Sequence, residues 1–259
     1  MTWKSSAPLA AKVSLEDPFF AIIEQAYLVF AYPKPKRIGV CEGCCMDAAI
    51  EATFFDPPIG ELPLTYIQDW YFAAYEPEGV PKETWAYLLP RILEVLAAGE
   101  DTSQVGIEVS LKRFDTGNIG NWSKKEWEIL DDFRRMYLDR TIEQNKESLD
   151  DAICMFSLAG WPLQSLLDHV ASTSDEKLAQ CLWRDWCSRR VPGHGGVWIT
   201  AFWESPDNST VFDFYTSRNL YDRMEALALA EGPDPELAAR ASAVADVIEA
   251  NASWSLVKS

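Results

Sequence analysis

Apolar residues that recur at helical spacing are the feature of this sequence that most restricts its fold. The clearest stripe runs from Lys82 to Ala98, where apolar side chains fall every three or four residues. Pro90 lies inside this stripe, and a proline in a helix interior removes a backbone donor and crowds the preceding turn. The stripe therefore predicts a helix with a kink or a break near Leu89, ended by Gly99.

The same spacing predicts helices along most of the remaining chain. The predicted segments are residues 15–31, 47–54, 63–75, 123–145, 148–158, 162–171, 174–190, 212–230 and 236–250. Two short apolar runs, at 105–111 and 197–203, are compatible with either a strand or a helix. The sequence therefore predicts an all-α fold of about ten helices in antiparallel pairs, with a helical-repeat-like array as an open alternative.

The length of the chain bears on its domain organisation. A chain of 259 residues fits one large domain or two small ones. We predict a single α-helical domain over residues 1–259. If the chain divides, the loops at 115–122 and 191–196 are the expected places.

The charge of the chain narrows its range of partners. Lys and Arg number 23 and Asp and Glu 40, which gives a formal net charge of −17. The segment from Glu42 to Asp101 holds twelve acidic residues against Lys82 and Arg91, so it contributes −10 of that total. Such a field repels nucleic acid and anionic membranes and favours a basic protein partner. Because no stretch looks like a signal peptide or a membrane span, the sequence predicts a cytoplasmic protein.

A cluster of cysteines is the main candidate for chemistry. Cys41-x-x-Cys44 has the spacing of half a zinc site, and Cys45, His169 or His194 could complete the four ligands that a structural zinc needs. A redox pair and simple packing of small side chains are the other interpretations of this cluster. No second C-x-x-C pair occurs in the sequence, so bound zinc remains one alternative among the three.

The other three cysteines lie on predicted helices. Cys154, Cys181 and Cys187 have apolar neighbours at helical spacing. Free cysteine is among the most buried residue types, so we predict that these thiols are buried and unreactive.

Three different segments of the chain together form one pattern. They are Tyr32-x-x-Pro35 with Cys41-x-x-Cys44-Cys45, then Tyr87 to Glu94, and finally Trp161 to Leu167. Taken together, they resemble a group of uncharacterised helical bacterial proteins. The resemblance implies a bacterial all-α protein, and it carries over no activity and no catalytic residue.

The familiar sequence motifs of catalysis do not occur in the chain. It has no G-x-S-x-G nucleophile elbow and no phosphate-binding glycine loop. The first hypothesis is therefore a non-enzymatic acidic interaction protein, in its sharpest form an immunity protein that neutralises a basic bacterial toxin such as a nuclease. The alternative is a metal- or thiol-dependent enzyme that uses the Cys41–Cys45 cluster. A third interpretation is a stable housekeeping domain with an unknown ligand.

The expected partner-binding residues lie where aromatic and acidic residues meet in the N-terminal half. They are Asp69 and Trp70 on the predicted 63–75 helix, and Glu76, Glu78 and Glu83 in or beside the turn that follows. Aromatic rings supply buried area at an interface, and carboxylates speed the encounter with a basic partner. In the competing interpretation, Trp70 and Tyr71 point into the core and the acids only keep the protein soluble.

Overall fold

The computed structural model describes residues 11–41, 43, 45–77, 79–144, 147–188, 196–230 and 234–254, and over these residues the all-α prediction is confirmed. The helices are α1 Phe20–Val29, α2 Ala48–Thr53, α3 Leu64–Phe72, α4 Lys82–Ala97, α5 Lys124–Gln144, α6 Leu149–Leu158, α7 Leu163–Ala171, α8 Asp175–Trp186, α9 Asp207–Tyr215, α10 Arg218–Leu229 and α11 Pro235–Asn251. Short 3-10 helices lie at Ile59–Glu61, Ile107–Val109 and Ile119–Asn121. No strand occurs among the described residues, where extended chain pairs only as a bridge between Val40 and Tyr75.

The described chain forms two compact units. Unit 1 contains the described residues up to Met136 together with Leu158–Gly160, and unit 2 contains those of Tyr137–Ser157 and from Trp161 onward. The division falls within α5. Antiparallel pairing of the helices and a repeat-like array stay predictions. In the described part of the chain, no helix combines the length and the apolar character that a membrane span requires.

Local signals in the sequence set several helix starts. The capping box predicted at the start of α5 is present, because the Ser123 amide donates to Glu126 Oε2 at 2.7 Å and the Glu126 amide donates to Ser123 Oγ at 3.4 Å. Asp47, Ser174 and Ser217 accept backbone amides in the same way at the starts of α2, α8 and α10.

Helix α4 lies at the centre of unit 1. The prediction of a break at Pro90 is wrong. The helix runs continuously through Pro90, and every residue from Leu88 to Ala97 is buried. An interior proline costs a helix about 3 kcal/mol, and burial on all sides of this segment offsets that cost. The alternative prediction of a bend at Pro90 stays a prediction.

Three other segments differ from their predicted form. Residues 212–230 do not form one helix, because α9 ends at Tyr215 and Ser217 caps a new helix, α10. The apolar run at 197–203 is neither strand nor helix, and the run at 105–111 contains only a short 3-10 turn. Short apolar runs carry too few residues for periodicity to decide their conformation.

A buried ion network ties the first described residues to α4. The Arg91 side chain is fully buried, and it donates from Nη1 to the Ala11 carbonyl at 2.6 Å and from Nε to the Leu62 carbonyl at 3.0 Å. Arg91 Nη1 also lies 2.7 Å from Glu94 Oε2, which accepts a further hydrogen bond from Tyr27 at 2.6 Å. The network holds the extended N-terminal segment and α1 against α4.

Unit 2 is built around α6 and a group of packed C-terminal helices. Most of α6 is buried, including Asp150. Helices α8, α10 and α11 pack on one another, and α7 contacts α9. The buried faces of α8 and α11 carry Leu178, Leu182, Val244 and Ile248, which are the positions expected from the helical spacing of the sequence.

Candidate functional site

Helix α3 divides into a buried face and an exposed face. Leu64, Ile67, Trp70 and Tyr71 are buried, and they follow the i, i+3, i+7 spacing of a core-facing stripe. Phe72 lies outside that stripe and is 70% exposed. The helix therefore places Phe72 in solvent, Trp70 and Tyr71 in the core of unit 1, and Tyr66 between these extremes.

The placement of Trp70 corrects its prediction as a partner contact. Its side chain is 1% exposed, and its indole Nε1 donates to the Ile38 carbonyl at 2.8 Å. The ring stacks on Trp85 with centroids 6.0 Å apart, and Trp85 in turn donates to Thr116 Oγ1 at 3.0 Å. Both tryptophans thus have a polar partner and a packed ring, so Trp70 offers no surface to another protein.

Asp69 lies on the exposed side of α3 and contacts the backbone of a second acidic residue. Its Oδ2 accepts the backbone amide of Asp47 at 3.0 Å. Asp47 is exposed, and its own side chain accepts the Ala49 amide at 2.8 Å as the cap of α2. This contact places the N-terminus of α2 beside α3 and brings two acidic residues together.

The other predicted acids occupy different surroundings. Glu76 is half-buried and lies 3.8 Å from Arg37, whereas Glu83 is exposed in the first turn of α4. Burial, the hydrogen bond to Glu126 and the negative charges of Glu126 and Glu83 raise the pKa of Tyr32 to about 12. Glu78 lies outside the described residues.

Phe72 is the residue of this region that the sequence prediction missed. It follows Gln68 by four residues and Asp69 by three, so the three side chains share one face of α3. Gln68 Nε2 donates to the Asp101 carbonyl at 2.9 Å, which places the exposed Asp101 beside the same face. We call Asp47, Gln68, Asp69, Phe72 and Asp101 the Phe72 surface. The register of the apolar stripe could have identified Phe72, because Trp70 and Tyr71 continue the stripe and Phe72 does not.

The cysteine cluster is only partly described. Cys41 is half-buried, with its amide donating to the Ala74 carbonyl at 2.8 Å, and Cys45 is exposed. Cys44 lies outside the described residues. Among the residues that are described, no three His, Cys, Asp or Glu side chains are grouped to hold a metal ion. Zinc binding and a thiol enzyme therefore stay predictions, which elemental analysis of the purified protein would test.

The two histidines and the three cysteines outside the 41–45 cluster are the remaining candidates for chemistry. His169 Nε2 lies 2.9 Å from Asp139 Oδ1, and His194 lies outside the described residues. Cys154 and Cys181 are buried as predicted, whereas Cys187 is half-buried. Burial raises the pKa of Cys181 to about 12, which disfavours its thiolate.

Comparison with known proteins gives no further guide to the site. No protein-family model, no curated protein and no solved structure matches the chain. Any functional conclusion therefore depends on the residues themselves.

Proposed function

We propose that the protein is a non-enzymatic interaction protein that binds a basic protein partner through the Phe72 surface. The observation that carries the proposal is a large aromatic side chain, 70% exposed, beside acidic residues. Water-exposed phenylalanine gains about 1.5–3 kcal/mol when it is buried, and an interface is one way to bury it. Aromatic residues are accordingly enriched in the buried centres of protein interfaces.

The acidic residues around Phe72 give the surface its preference for positive charge. Asp47 and Asp101 are exposed and Asp69 is half-buried, in a chain whose net charge is −17. Complementary charge accelerates the encounter of two proteins and disfavours partners of the same sign. The partner that suits this surface is therefore a basic protein with an apolar pocket for the Phe72 ring.

In its sharpest form, the proposal is that the chain is an immunity protein for a basic bacterial toxin, such as a nuclease. A nuclease binds a polyanion, so its active-site cleft is positively charged. An acidic surface with a central aromatic ring complements such a cleft in both charge and shape. Covering the cleft would block the nucleic acid without any chemistry by the inhibitor.

Association kinetics with the protein encoded by the adjacent reading frame test this proposal, because immunity proteins are usually encoded beside their toxins. We expect Phe72→Ala to weaken binding at least about tenfold, mainly through faster dissociation. Replacing Asp69 and Asp101 with Lys should slow association at low ionic strength and have less effect at high salt. Phe72→Ala should leave the melting temperature nearly unchanged, because this side chain is exposed. The double Lys variant also loses the hydrogen bond from the Asp47 amide, so we expect a small fall in its melting temperature.

Two matched variants on α1 serve as controls. Leu28→Ala removes another apolar side chain, which is 78% exposed, and Glu24→Lys reverses another exposed acid. Cytochrome c, a basic protein with no such cleft, measures attraction by charge alone. Equal loss of affinity in Phe72→Ala and Leu28→Ala would contradict the Phe72 surface. Failure of the wild-type chain to bind the adjacent product would contradict the immunity function.

A further inference from the structure

A cleft of about 390 Å³ opens in unit 1 between the 34–38 segment and residues 51–56. Its size falls within the range of about 300–1,000 Å³ that is typical of small-molecule sites. Lys34, Lys36 and Arg37 lie on one wall, and Phe55 and Asp56 lie on the other. We call these five residues the basic cleft.

The cations of the basic cleft stand out in so acidic a region. All three are exposed, and neither Lys34 nor Lys36 forms an ion pair with any residue that the structure describes. Arg37 lies 3.8 Å from Glu76, which is a loose contact. Two lysines therefore have their charge available for an anion from solution.

The chain that carries the cations is held in place. Pro33 and Pro35 restrict the backbone around Lys34. The Arg37 carbonyl accepts a hydrogen bond from Thr84 Oγ1 at 3.3 Å, and the next carbonyl, that of Ile38, accepts the Trp70 indole. The C-terminal end of the segment is thus fixed to α3 and α4, so the backbone that carries the cations needs little reordering to meet a ligand, and only their side chains must become ordered.

The opposite wall is aromatic and rigid. Phe55 is half-buried and makes edge contacts with Phe54 and Tyr87, with ring centroids 5.0 and 5.5 Å apart. Phe54 is buried and stacks on Tyr66 at 6.1 Å. This packing holds the Phe55 ring as a fixed apolar surface on which a second ring can lie.

Two acidic residues that line the cleft, Glu51 and Asp56, restrict where a bound ligand can carry negative charge. Both carboxylate oxygens of Glu51 accept the Gly43 amide, at 3.0 and 3.1 Å, so this side chain is directed toward that amide. Asp56 is exposed next to Phe55. Negative charge is therefore favoured at the lysine wall and disfavoured beside Phe55.

We propose that the basic cleft binds a small aromatic phosphate monoester. Its phosphate lies against Lys34 and Lys36, and its uncharged ring lies against Phe55. Two lysines match the nearly double negative charge of a phosphate monoester at neutral pH. This site uses residues other than the Phe72 surface, so it goes beyond the proposed function and does not depend on it.

Calorimetric titration of the full chain tests the proposal with phenyl phosphate, inorganic phosphate and phenol as probes. We expect saturable binding of phenyl phosphate, binding of inorganic phosphate that is weaker by about tenfold, and none of phenol. Lys34→Gln with Lys36→Gln should lower the affinity for phenyl phosphate by about tenfold or more. Lys124→Gln with Lys125→Gln removes two exposed charges from α5 instead, and it should leave the affinity unchanged.

Two further variants test the orientation of the ligand. Phe55→Leu should weaken phenyl phosphate and leave inorganic phosphate unchanged, because only the ring is lost as a contact. Asp56→Asn should strengthen phenyl phosphate severalfold, and a gain of affinity does not arise from misfolding. Absence of saturable phenyl phosphate binding, or equal effects of the two double-lysine variants, would overturn the site. No gain in Asp56→Asn, or equal losses for both phosphates in Phe55→Leu, would overturn the orientation.

Discussion

Each unit of the molecule buries a carboxylate, and the two carboxylates have opposite surroundings. In unit 1, Glu94 Oε2 lies 2.7 Å from Arg91 and 3.2 Å from Lys12. In unit 2, Asp150 is 3% exposed and has neutral donors, the Thr200 amide at 2.6 Å and Trp203 Nε1 at 3.1 and 3.2 Å. One buried acid is thus matched by positive charge, and the hydrogen-bond donors that the structure describes around the other are neutral.

The difference shows in the protonation of Asp150. Burial raises its pKa to about 7, and the nearby Asp185 carboxylate adds to that rise. Hydrogen bonds from Thr200 and Trp203, and the close Tyr215 hydroxyl, act in the opposite direction and offset it only in part. For Asp150, whose described donors are neutral, the free energy of unfolding therefore depends on pH. For Glu94, it depends on the presence of the cations that pair with it.

The largest expected effect comes from removing the cation of unit 1. Arg91→Met leaves Glu94 buried without its closest positive charge, and breaking a buried ion pair in this way costs about 3–5 kcal/mol. Urea denaturation should show this loss in the free energy of unfolding. Lys124→Met is the matched control, because its pair with Glu128 spans 3.7 Å with both side chains exposed, and it should cost less than about 1 kcal/mol. Equal costs for the two variants would show that burial does not distinguish these ion pairs.

A smaller, pH-dependent effect is expected at Asp150. Because its folded pKa is above the unfolded value of about 3.9, the folded state holds a proton that the unfolded state has lost between those two values. The contribution of Asp150 to stability is therefore complete at low pH and is lost as pH rises toward 7, by about 1.4 kcal/mol per pH unit.

Asp150→Asn removes this titration and isolates its effect. The difference in unfolding free energy, wild type minus variant, should fall between pH 5.5 and 7 and level off above pH 7. Urea denaturation of both proteins across this range measures it. Asp222→Asn, which changes an exposed acid on α10, controls for the loss of one carboxylate. A difference that does not vary with pH would contradict the raised pKa of Asp150.

The smallest expected effect is a difference in reactivity between the thiols of the two units, and it involves no change in stability. Arg184 Nη2 lies 3.2 Å from Cys181 Sγ in unit 2, yet burial dominates and raises the pKa of the thiol to about 12. Cys45 of unit 1 is exposed. Brief alkylation at pH 8, followed by peptide mass mapping, should find Cys45 modified and Cys154 and Cys181 intact. Fast modification of Cys181 in the folded protein would show that the interior of unit 2 opens readily.

Local patterns in the sequence predicted most of the helices and several of their starts. The capping box of Ser123 and Glu126 depends on residues three apart, and the stripe of α4 depends on neighbours within a few turns. Such short-range interactions are complete within one segment, so the segment itself encodes them. The predicted break at Pro90 failed because burial of the helix on both sides of the proline, which no local pattern expresses, outweighs the cost of that residue.

The residues of the candidate site were harder to predict from the sequence than the helices. Acidic charge in the N-terminal half was visible by composition, but the choice of Phe72 over Trp70 as the exposed aromatic residue needed the register of the buried stripe. The basic cleft is formed by residues about twenty positions apart in the chain. The donors to Asp150 belong to Thr200 and Trp203, which lie about fifty positions from Asp150. No spacing rule connects residues so distant in the chain.

By itself, the sequence determined the all-α class, several helix caps and the acidic character of this protein, because each follows from composition or from neighbours along the chain. Only the tertiary structure decided which lysines share a cleft with Phe55 and which polar groups surround Glu94 and Asp150. The physical reason is that exposure, cavity shape and local dielectric are properties of packed segments. They exist only after distant parts of the chain have come together.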